Sequence, residues 1–227
     1  FEAELILAYR TGESEHPVIN SFIVIAKRYG IPQEYPLLLI KGITMDMNQN
    51  RYQSFADLHV FCYRVAAVVG VMMTYVMGYQ SEEAFYYAKK LGIAMQLSNI
   101  LRDIKEDKDM GRIYLPLNEL AQFGVSEEDI IHERMSDNLV GLMKCQVSRA
   151  HHYYEEAQKG IALLHRDAQF AIYTASRVYR GILYQIENNN YIPFLGRVYV
   201  SHGKKMAILF HELVRNKARN LHKRIKF

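Results

Sequence analysis

The sequence predicts an all-α protein, and three observations support that prediction. Apolar residues recur at helical spacing along almost the whole chain. The alternation of apolar and polar residues that is typical of strands is hard to find. Glycine and proline separate the periodic segments, as at Gly30 with Pro32 and at Pro193. We therefore expect a single-domain helical bundle.

Length and composition favour one domain that covers residues 1–227. The chain has 227 residues, half of them hydrophobic, which is enough for a single sizeable core. With only 5 prolines and 13 glycines, no internal repeat and no low-complexity run, it contains no evident linker. Cys62 and Cys145 match no metal-ligand spacing, so reduced thiols in a cytoplasmic protein are the simplest interpretation.

The helices are predicted from the apolar periodicity and from the residues that begin and end each segment. Pro17 lies early in the first, Gly78 precedes a new start at Ser81, and Gly111 follows an acidic helix. The predicted spans are 16–29, 35–49, 54–78, 81–108, 116–123, 126–131, 136–163, 167–189 and 203–222.

The helix predicted over 54–78 is unusually apolar. Val65 to Ser81 contains no charged residue, and these seventeen residues approach the length of a membrane span. Arg64 lies immediately before the run, however, and Gly70 and Gly78 interrupt it. We expect a buried core helix or a helix that lines a cavity.

The next helix carries a polar stripe. At 100° per residue, Gln96, Asn99, Asp103 and Asp107 fall within about 80° of one another. Lys105 and Lys108 point elsewhere, so we expect no salt bridges along this helix. A neighbouring apolar stripe borders the polar one, and its members are Leu97, Ile100, Leu101 and Ile104.

Two carboxylates beside an apolar wall are unfavourable unless a cation joins them. Oxygen ligands from Asp103, Asp107 and Asn99 suit Mg²⁺, which usually completes its shell with waters and substrate phosphates. Mn²⁺ could replace it. A solvated helix face remains the alternative on spacing alone, because acids four residues apart are common.

Arg112 and Tyr114 come just after the acidic helix. A guanidinium and a phenol at this place can hold phosphate oxygens or close a lid. The alternative for Arg112 is an ordinary surface residue.

This region resembles the squalene/phytoene synthase family, whose second aspartate-rich motif has the form LGxxxQxxNIxRDxxxDxxxxRxYxP. Every specified position matches, namely Leu91, Gly92, Gln96, Asn99, Ile100, Arg102, Asp103, Asp107, Arg112, Tyr114 and Pro116. The stretch "RYQSFADLHVFCYRVAAVVGVMM" resembles a second family segment but has Phe61 where the family usually has Tyr, and Ala67 where it usually has Gly. The resemblance extends from His16 to about Lys205 and is closest to the phytoene synthases.

The resemblance implies an isoprenoid-synthase helical bundle around a deep apolar cavity. Such head-to-head trans-isoprenyl diphosphate synthases join two allylic diphosphates through a cyclopropylcarbinyl diphosphate, with Mg²⁺ drawing off the diphosphate. The implied activity is a prenyltransferase of carotenoid biosynthesis that makes phytoene from two geranylgeranyl diphosphates. The alternative is dehydrosqualene or squalene synthesis from farnesyl diphosphate. No NADPH is expected.

The resemblance also implies roles for individual residues. Asn99, Asp103 and Asp107 would bind the metal, the two aspartates being catalytic, and Tyr63 would face the reacting carbons. The diphosphate-binding residues would be Gln96, Arg102, Tyr179, Arg197, Arg51 and Arg112. Three of these assignments keep open alternatives: Tyr179 as a core aromatic, Tyr63 as packing and Arg51 as a structural ion-pair residue.

One part of the family pattern is not found. The first acidic motif, DxxxD, should lie before His16, and "FEAELILAYRTGESE" does not match it. Since the chain begins at Phe1, we expect the helices that carry this motif to be missing from the sequence. Without them the 227 residues should not catalyse the reaction. A non-catalytic relative that acts as an assembly or scaffold protein is the alternative of another class.

The C-terminal segment 204–226 is strongly basic. It holds eight lysines and arginines against the single acid Glu212, and they are Lys204, Lys205, Arg215, Lys217, Arg219, Lys223, Arg224 and Lys226. Few aromatic residues are interleaved, so we expect no nucleic-acid partner. Peripheral contact with an anionic membrane is an attractive interpretation because the implied substrates are hydrophobic. A merely solvated helix is the other. The sequence carries no signal for an oligomeric state.

Overall fold

The computed structural model describes the backbone of residues 1–224 and the side chains of residues 1–216. Within this part the fold is all-α, as predicted, and contains no strand. The helices are α1 (Glu2–Thr11), α2 (Pro17–Tyr29), α3 (Glu34–Asn48), α4 (Phe55–Cys62), α5 (Val68–Met77), α6 (Glu83–Arg102), α7 (Ile104–Asp109), α8 (Leu117–Gln122), α9 (Glu127–Ile131), α10 (Asp137–Gln158), α11 (Arg166–Asn188) and α12 (His202–Arg224). A π-helical segment (Tyr63–Ala67) and a 3₁₀ segment (Ile161–Leu163) join neighbouring helices.

Helix α1 was not among the predicted spans, although the sequence carries signals for it. Glu2 and Glu4 lie in its first turn, where acids favour a helix N-terminus. Gly12 ends it in the left-handed conformation, with φ of 97°. Leu5 and Ala8 are buried against α2. Only these two residues of α1 are buried, which is too few to give a clear apolar periodicity in the sequence.

The helix predicted over 81–108 is interrupted at Asp103. This residue has φ of −103° and ψ of 13°, so α6 ends at Arg102 and α7 begins at Ile104. The amide of Asp103 still donates to the carbonyl of Asn99, at 2.9 Å. The amide of Asp107 likewise donates to the carbonyl of Asp103, at 2.8 Å, so the break is local.

Capping boxes fix two of the shorter helices. Ser54 accepts from the amide of Asp57, and the Asp57 carboxylate accepts from the amide of Ser54. Ser126 and Asp129 repeat this arrangement at the start of α9. Each pair satisfies two amides that a helix N-terminus otherwise leaves without partners, and both helices begin where the sequence predicted.

The main core is built around α6, which packs against α10, α11, the π segment and α5. Its fully buried members include Leu139, Leu142 and Met143 of α10. A second cluster joins α1, α2 and α3, with Ile19 and Ile23 at its centre. Helix α6 thus carries the polar stripe through the middle of the bundle.

Helices α5 and α6 approach each other closely because glycine occupies their contact. A Cβ atom at Gly92 would lie 2.6 Å from the carbonyl oxygen of Ala66, and one at Gly70 would lie 2.7 Å from that of Ala88. Real Cβ atoms do not approach a carbonyl oxygen so closely. The π-helical segment lies at this contact, and π turns inside helices occur mostly at functional sites.

The run Phe55–Met77 is the one helical stretch within residues 1–224 that is long and apolar enough to cross a membrane. In the structure it packs between α3 and α6, is partly buried, and lines an apolar cavity. This placement agrees with the prediction of a core or cavity-lining helix.

The close approach of α5 and α6 leads to a first prediction. Replacing Gly92 by Ala should lower the free energy of unfolding by about 1–3 kcal/mol, because the new methyl group forces the two backbones apart. Urea unfolding followed by circular dichroism measures this loss.

Gly203→Ala is the matched control. Gly203 is also helical, but nothing lies within 4 Å of a Cβ atom placed there. The control should change the free energy of unfolding by less than about 1 kcal/mol. Equal effects of the two substitutions would show that close packing at Gly92 is not the cause.

Candidate functional site

Four predicted site residues converge on one cavity of about 310 Å³ between α3 and α6. The structure brings Gln96, Asn99, Asp103 and Asp107 to its wall, as their shared stripe predicted. The remaining lining residues are Ile43, Asp46, Phe61, Val65, Ile100 and Tyr114. We call this space the acidic cavity.

Asp103 is held by two guanidinium groups. Arg102 donates to both of its carboxylate oxygens, at 2.8 and 2.7 Å, and Nε of Arg197 donates at 2.8 Å. Burial raises the pKa of Asp103, but these two arginines outweigh burial and leave the pKa below its ordinary value. Asp103 is therefore ionised.

The expectation that the aspartates form no salt bridge along the helix is wrong for Asp103. On a helical wheel Arg102 points about 100° away from Asp103. In the structure its guanidinium nevertheless pairs with the carboxylate of Asp103, the next residue, at the end of α6. Arg197 comes from the segment between α11 and α12, which the wheel does not cover.

Asp107 has the opposite electrostatic environment. Burial, together with the charges of Asp103 and Asp46, raises its pKa to about 7, and Arg112 only partly offsets them. Asp107 forms no salt bridge among the described residues. This part of the acidic cavity therefore carries more negative charge than its neighbours neutralise.

Asp46 is a member of the acidic cavity that the sequence analysis missed. It lies on α3, opposite the polar stripe, and accepts a hydrogen bond of 2.5 Å from the hydroxyl of Tyr114. Arg112 lies 3.8 Å from its other oxygen. Asp46 is the one acid in the mostly apolar stretch from Leu37 to Met47. A lone carboxylate in such a stretch is the sequence feature that could have identified it as a site residue.

Aromatic rings close one side of the acidic cavity. The rings of Phe61 and Tyr114 stack at a centroid distance of 5.5 Å, and Tyr52 stacks on Tyr114 at 5.7 Å. Tyr52 is fully buried, while Phe61 and Tyr114 face the cavity. One of the two aromatic residues that line the cavity is thus Phe61, at a position where the family usually has tyrosine.

Tyr63, expected to face the reacting carbons, does not line the acidic cavity. It begins the π-helical segment and packs against the edge of the core. Its pKa is raised by burial and then by the charge of Glu34, which places the hydroxyl toward the start of α3. Phe61 lines the cavity instead, since residues two apart on a helix point in different directions.

Arg51 is not among the lining residues either. Its guanidinium binds Glu127 and donates to the carbonyl of Gly111 at 2.7 Å. These contacts tie the segment after α3 to α9 and to the turn before Arg112. The structure favours the alternative of a structural ion-pair residue over that of a substrate-binding residue.

Tyr179 lies near the arginines of the site. The pKa of Arg102 is raised mainly by Asp103 and, to a smaller extent, by Tyr179. The ring of Tyr179 therefore lies close to the Arg102 guanidinium. Tyr179 also packs against the core. The amide of Arg197 donates to Glu106 at 3.1 Å, which fixes the segment that carries this arginine.

A second, apolar cavity of about 380 Å³ adjoins the first. Val65 lines both, and Met95 of the apolar cavity precedes Gln96 of the acidic one. The apolar lining comes from α5, α6, the 3₁₀ segment and α11, and includes Val69, Met73, Leu91 and Ile172. A polar and an apolar site therefore do lie side by side, as predicted. The α6 residues that line the apolar site come from earlier turns of the helix than the predicted stripe Leu97–Ile104.

The acidic cavity suits a hard divalent cation. No group of three or more histidine, cysteine, aspartate or glutamate side chains forms a metal site within residues 1–216. The stripe offers two carboxylates and the amide oxygen of Asn99, and the pKa of Asp107 is raised first by burial and then by the charges of Asp103 and Asp46. Such a small oxygen set fits Mg²⁺, which keeps waters and takes further ligands from phosphates.

Comparison with known proteins gives a consistent result. A family model described as squalene/phytoene synthase matches residues 1–204. The chain is 43% identical to the 15-cis-phytoene synthase of Synechocystis sp. over 183 residues, which cover 75% of this chain and 54% of that protein. It is 43% identical to phytoene synthase 1 of Arabidopsis thaliana over 177 residues, or 75% of this chain and 42% of that protein.

Solved structures show the same fold. A dehydrosqualene synthase, crystallised in complex with a ligand, superimposes with a TM-score of 0.87 at 29% identity, over 96% of this chain and 77% of that one. The chain spans about half the length of the curated relatives it matches. Its similarity therefore covers part of each relative.

The pKa of Asp107 leads to a second prediction. In the folded protein this pKa is about 7, whereas the unfolded chain has the ordinary value near 3.8. The folded state thus binds the extra proton, and Asp107 lowers stability increasingly as the pH rises from about 4 to 7. Asp107→Asn should raise the melting temperature in metal-free buffer at pH 8 and have little effect near pH 4.

Asp103→Asn is the matched comparison. The pKa of Asp103 in the folded protein is below its ordinary value, and its carboxylate binds both arginines at pH 8. The substitution should therefore reduce stability at that pH. Thermal unfolding of the variants in EDTA, at pH 4, 6 and 8, measures both effects. If the difference in melting temperature between Asp107→Asn and the parent protein stayed the same at all three pH values, the raised pKa assigned to Asp107 would be contradicted.

Proposed function

Because the chain belongs to the squalene/phytoene synthase family, we propose that it forms part of a Mg²⁺-dependent prenyltransferase that condenses two geranylgeranyl diphosphates head to head into phytoene. The observation that carries the proposal is the junction at Val65 between the acidic and the apolar cavity. An allylic diphosphate has the same two parts, an anionic head and an apolar chain.

Asn99, Asp103 and Asp107 would hold the cation at the acidic cavity. The cation, which Mn²⁺ could replace, would supply Lewis-acid stabilisation of the departing diphosphate. Asp107 must lose its proton to serve as a ligand, and its pKa of about 7 keeps that proton easily removable. Gln96 lies one turn from Asn99, its amide within 3.4 Å, and can donate to a phosphate oxygen.

Arg102 and Arg197 would receive the diphosphate. Both guanidiniums are already oriented by Asp103, so little side-chain freedom remains to be lost when an anion binds. Each retains further N–H donors, since guanidinium has five. Tyr179 beside Arg102 and Arg112 beside Asp46 complete this polar rim.

The apolar cavity would receive the prenyl chain. Its lining contains aliphatic and methionine side chains, such as Val69, Met73 and Leu91, and no charged residue. An apolar wall of this kind, once it is covered from solvent, would keep allylic cations from premature hydrolysis. Head-to-head coupling through a cyclopropylcarbinyl diphosphate needs this protection at both of its cationic stages.

The enzymatic alternative is dehydrosqualene or squalene synthesis from farnesyl diphosphate. The 29% identical dehydrosqualene synthase structure supports it, but the curated relatives at 43% identity are phytoene synthases and favour the longer substrate. We expect no NADPH requirement, as the resemblance to phytoene synthases implies. A scaffold role is less favoured because the acidic stripe is intact.

Contact with an anionic membrane is part of the proposal. Lys204, Lys205 and Arg215 are exposed in the structure. The side chains of Lys217, Arg219, Lys223, Arg224 and Lys226 lie outside the described residues. We still predict that the protein is cytoplasmic and that it has no nucleic-acid partner.

Product analysis tests the reaction. The full-length gene product, given Mg²⁺ and geranylgeranyl or farnesyl diphosphate in parallel, should yield a C40 hydrocarbon from the former. Asp103→Ala should reduce turnover at least about 10³-fold, on the scale of losing a preorganised electrostatic contact. A C30 product alone would move the assignment to the farnesyl branch, and near-normal turnover of Asp103→Ala would remove the metal assignment.

Asp46 provides a further prediction. Because its carboxylate holds Tyr114 and faces Arg112, Asp46→Asn should raise KM for the diphosphate more than it lowers kcat. Tyr114→Phe should act in the same direction. In a double-mutant cycle the two effects should be non-additive by about 1 kcal/mol or more, since the residues share a hydrogen bond. Strict additivity would show that they act separately.

A further inference from the structure

The apolar cavity is elongated and follows α6 away from the acidic cavity. Val65 and Met95 line it where it adjoins the acidic cavity. Met77 and Ala84 line its other end, on either side of the turn that joins α5 to α6. A prenyl chain whose head lies in the acidic cavity would therefore extend along α6 toward the start of that helix.

The far end of the apolar cavity is closed by packed side chains. Ala84, Ile161 and Leu164 line this end, and they are only 2%, 3% and 7% exposed. The three residues form a core cluster of their own, against which Ile172 packs. We call Ala84, Ile161 and Leu164 the floor of the apolar cavity. A chain that enters from the acidic cavity cannot extend past this floor.

One isoprene unit is about as long as one turn of a helix. An extended backbone gains about 3.5 Å for every three bonds, so a prenyl chain gains about 5 Å for the four bonds of each isoprene unit. A turn of α-helix rises about 5.4 Å. On the same scale a farnesyl chain is about 13 Å long and a geranylgeranyl chain about 18 Å.

These two lengths end at different residues of α6. Gln96 would donate to the diphosphate, and each earlier residue of α6 lies about 1.5 Å further from it. A farnesyl chain would then end near Tyr87, and a geranylgeranyl chain would reach Ala84. The side chain of Tyr87 packs on Gly160, where a Cβ atom would lie 2.1 Å from the Cβ atom of Tyr87. The methyl group of Ala84 is the small side chain that leaves space for the last isoprene unit.

We propose that Ala84 determines the length of the prenyl chain that the apolar cavity accepts, and that this length is that of a geranylgeranyl chain. The inference rests on the proposed function and adds a specificity-determining residue to it. A farnesyl chain would leave the last turn of the cavity unfilled and lose the apolar burial of one isoprene unit. An apolar cavity discriminates between homologous chains through such differences in burial.

Ala84→Phe tests the proposal in the full-length protein with Mg²⁺. The larger side chain would occupy the space of the last isoprene unit. The ratio of kcat/KM for geranylgeranyl diphosphate to kcat/KM for farnesyl diphosphate should therefore fall at least about tenfold relative to the parent. Ala84→Leu, a smaller change, should shift the ratio in the same direction by less. A loss of folded protein lowers both rates equally and leaves the ratio unchanged.

Leu91→Phe is the matched control. Leu91 lines the same cavity on the same helix, but it lies only about 7.5 Å along α6 from Gln96, where chains of both lengths pass. The added volume should impair both substrates alike, so the ratio should stay at its parent value. A fall of the ratio in Leu91→Phe equal to that in Ala84→Phe would overturn the assignment of chain length to Ala84.

Binding measurements separate this inference from the proposed reaction. In calorimetry with Mg²⁺ and the unreactive thiodiphosphate analogues, Ala84→Phe should weaken binding of the geranylgeranyl analogue at least about tenfold and leave the farnesyl analogue unaffected. Equal weakening of both analogues, or no weakening, would overturn the role of Ala84 even in a protein that makes the C40 hydrocarbon. If the parent makes no hydrocarbon, the proposed reaction fails and these affinities still decide the role of Ala84. A parent that binds neither analogue would overturn both.

Discussion

The arrangement of both cavities depends on the close contact between α5 and α6. Gly92 brings the α6 backbone against Ala66, and this contact sets the distance between the π-helical segment and the polar stripe. Val65 can then contribute to both cavities, with Met95 on one side and Gln96 on the other. A larger residue at the contact would separate the walls on which an anionic head and an apolar chain must be held together. Packing at one glycine thus determines the geometry of a polar site one turn away.

Within the acidic cavity, two aspartates four residues apart have opposite electrostatic states. Asp103 shares two guanidiniums, and Asp107 faces the charges of Asp103 and Asp46 with only partial compensation from Arg112. Both carboxylates line the cavity, and they differ because Arg102 and Arg197 pair with Asp103, whereas Asp107 has no ion-pair partner among the described residues. In the proposed function, Asp103 would orient the donors for an anion, and Asp107 would supply negative charge for a cation.

The sequence allowed the all-α fold and the polar stripe to be predicted, because both follow from periodicity along single helices. Gln96, Asn99, Asp103 and Asp107 meet at one cavity for that reason. Contacts between distant segments could not be predicted in this way. Asp46 reaches the site only because α3 packs beside the π segment, and Arg51 turns to Glu127, which is 76 residues away. Phe61 and not Tyr63 lines the acidic cavity, because a pattern gives a residue's type and order but does not show which side of a π turn faces a cavity.

The exposure of the cavity walls limits what these residues can do without further cover. Ile43 of the acidic cavity and Val69 and Met73 of the apolar one are more than a third exposed to solvent. An allylic cation formed against such walls would meet water before it met a second prenyl chain. The proposed reaction therefore requires another protein surface over α3 and α5, and the same surface would face the carboxylates of Asp46, Asp103 and Asp107.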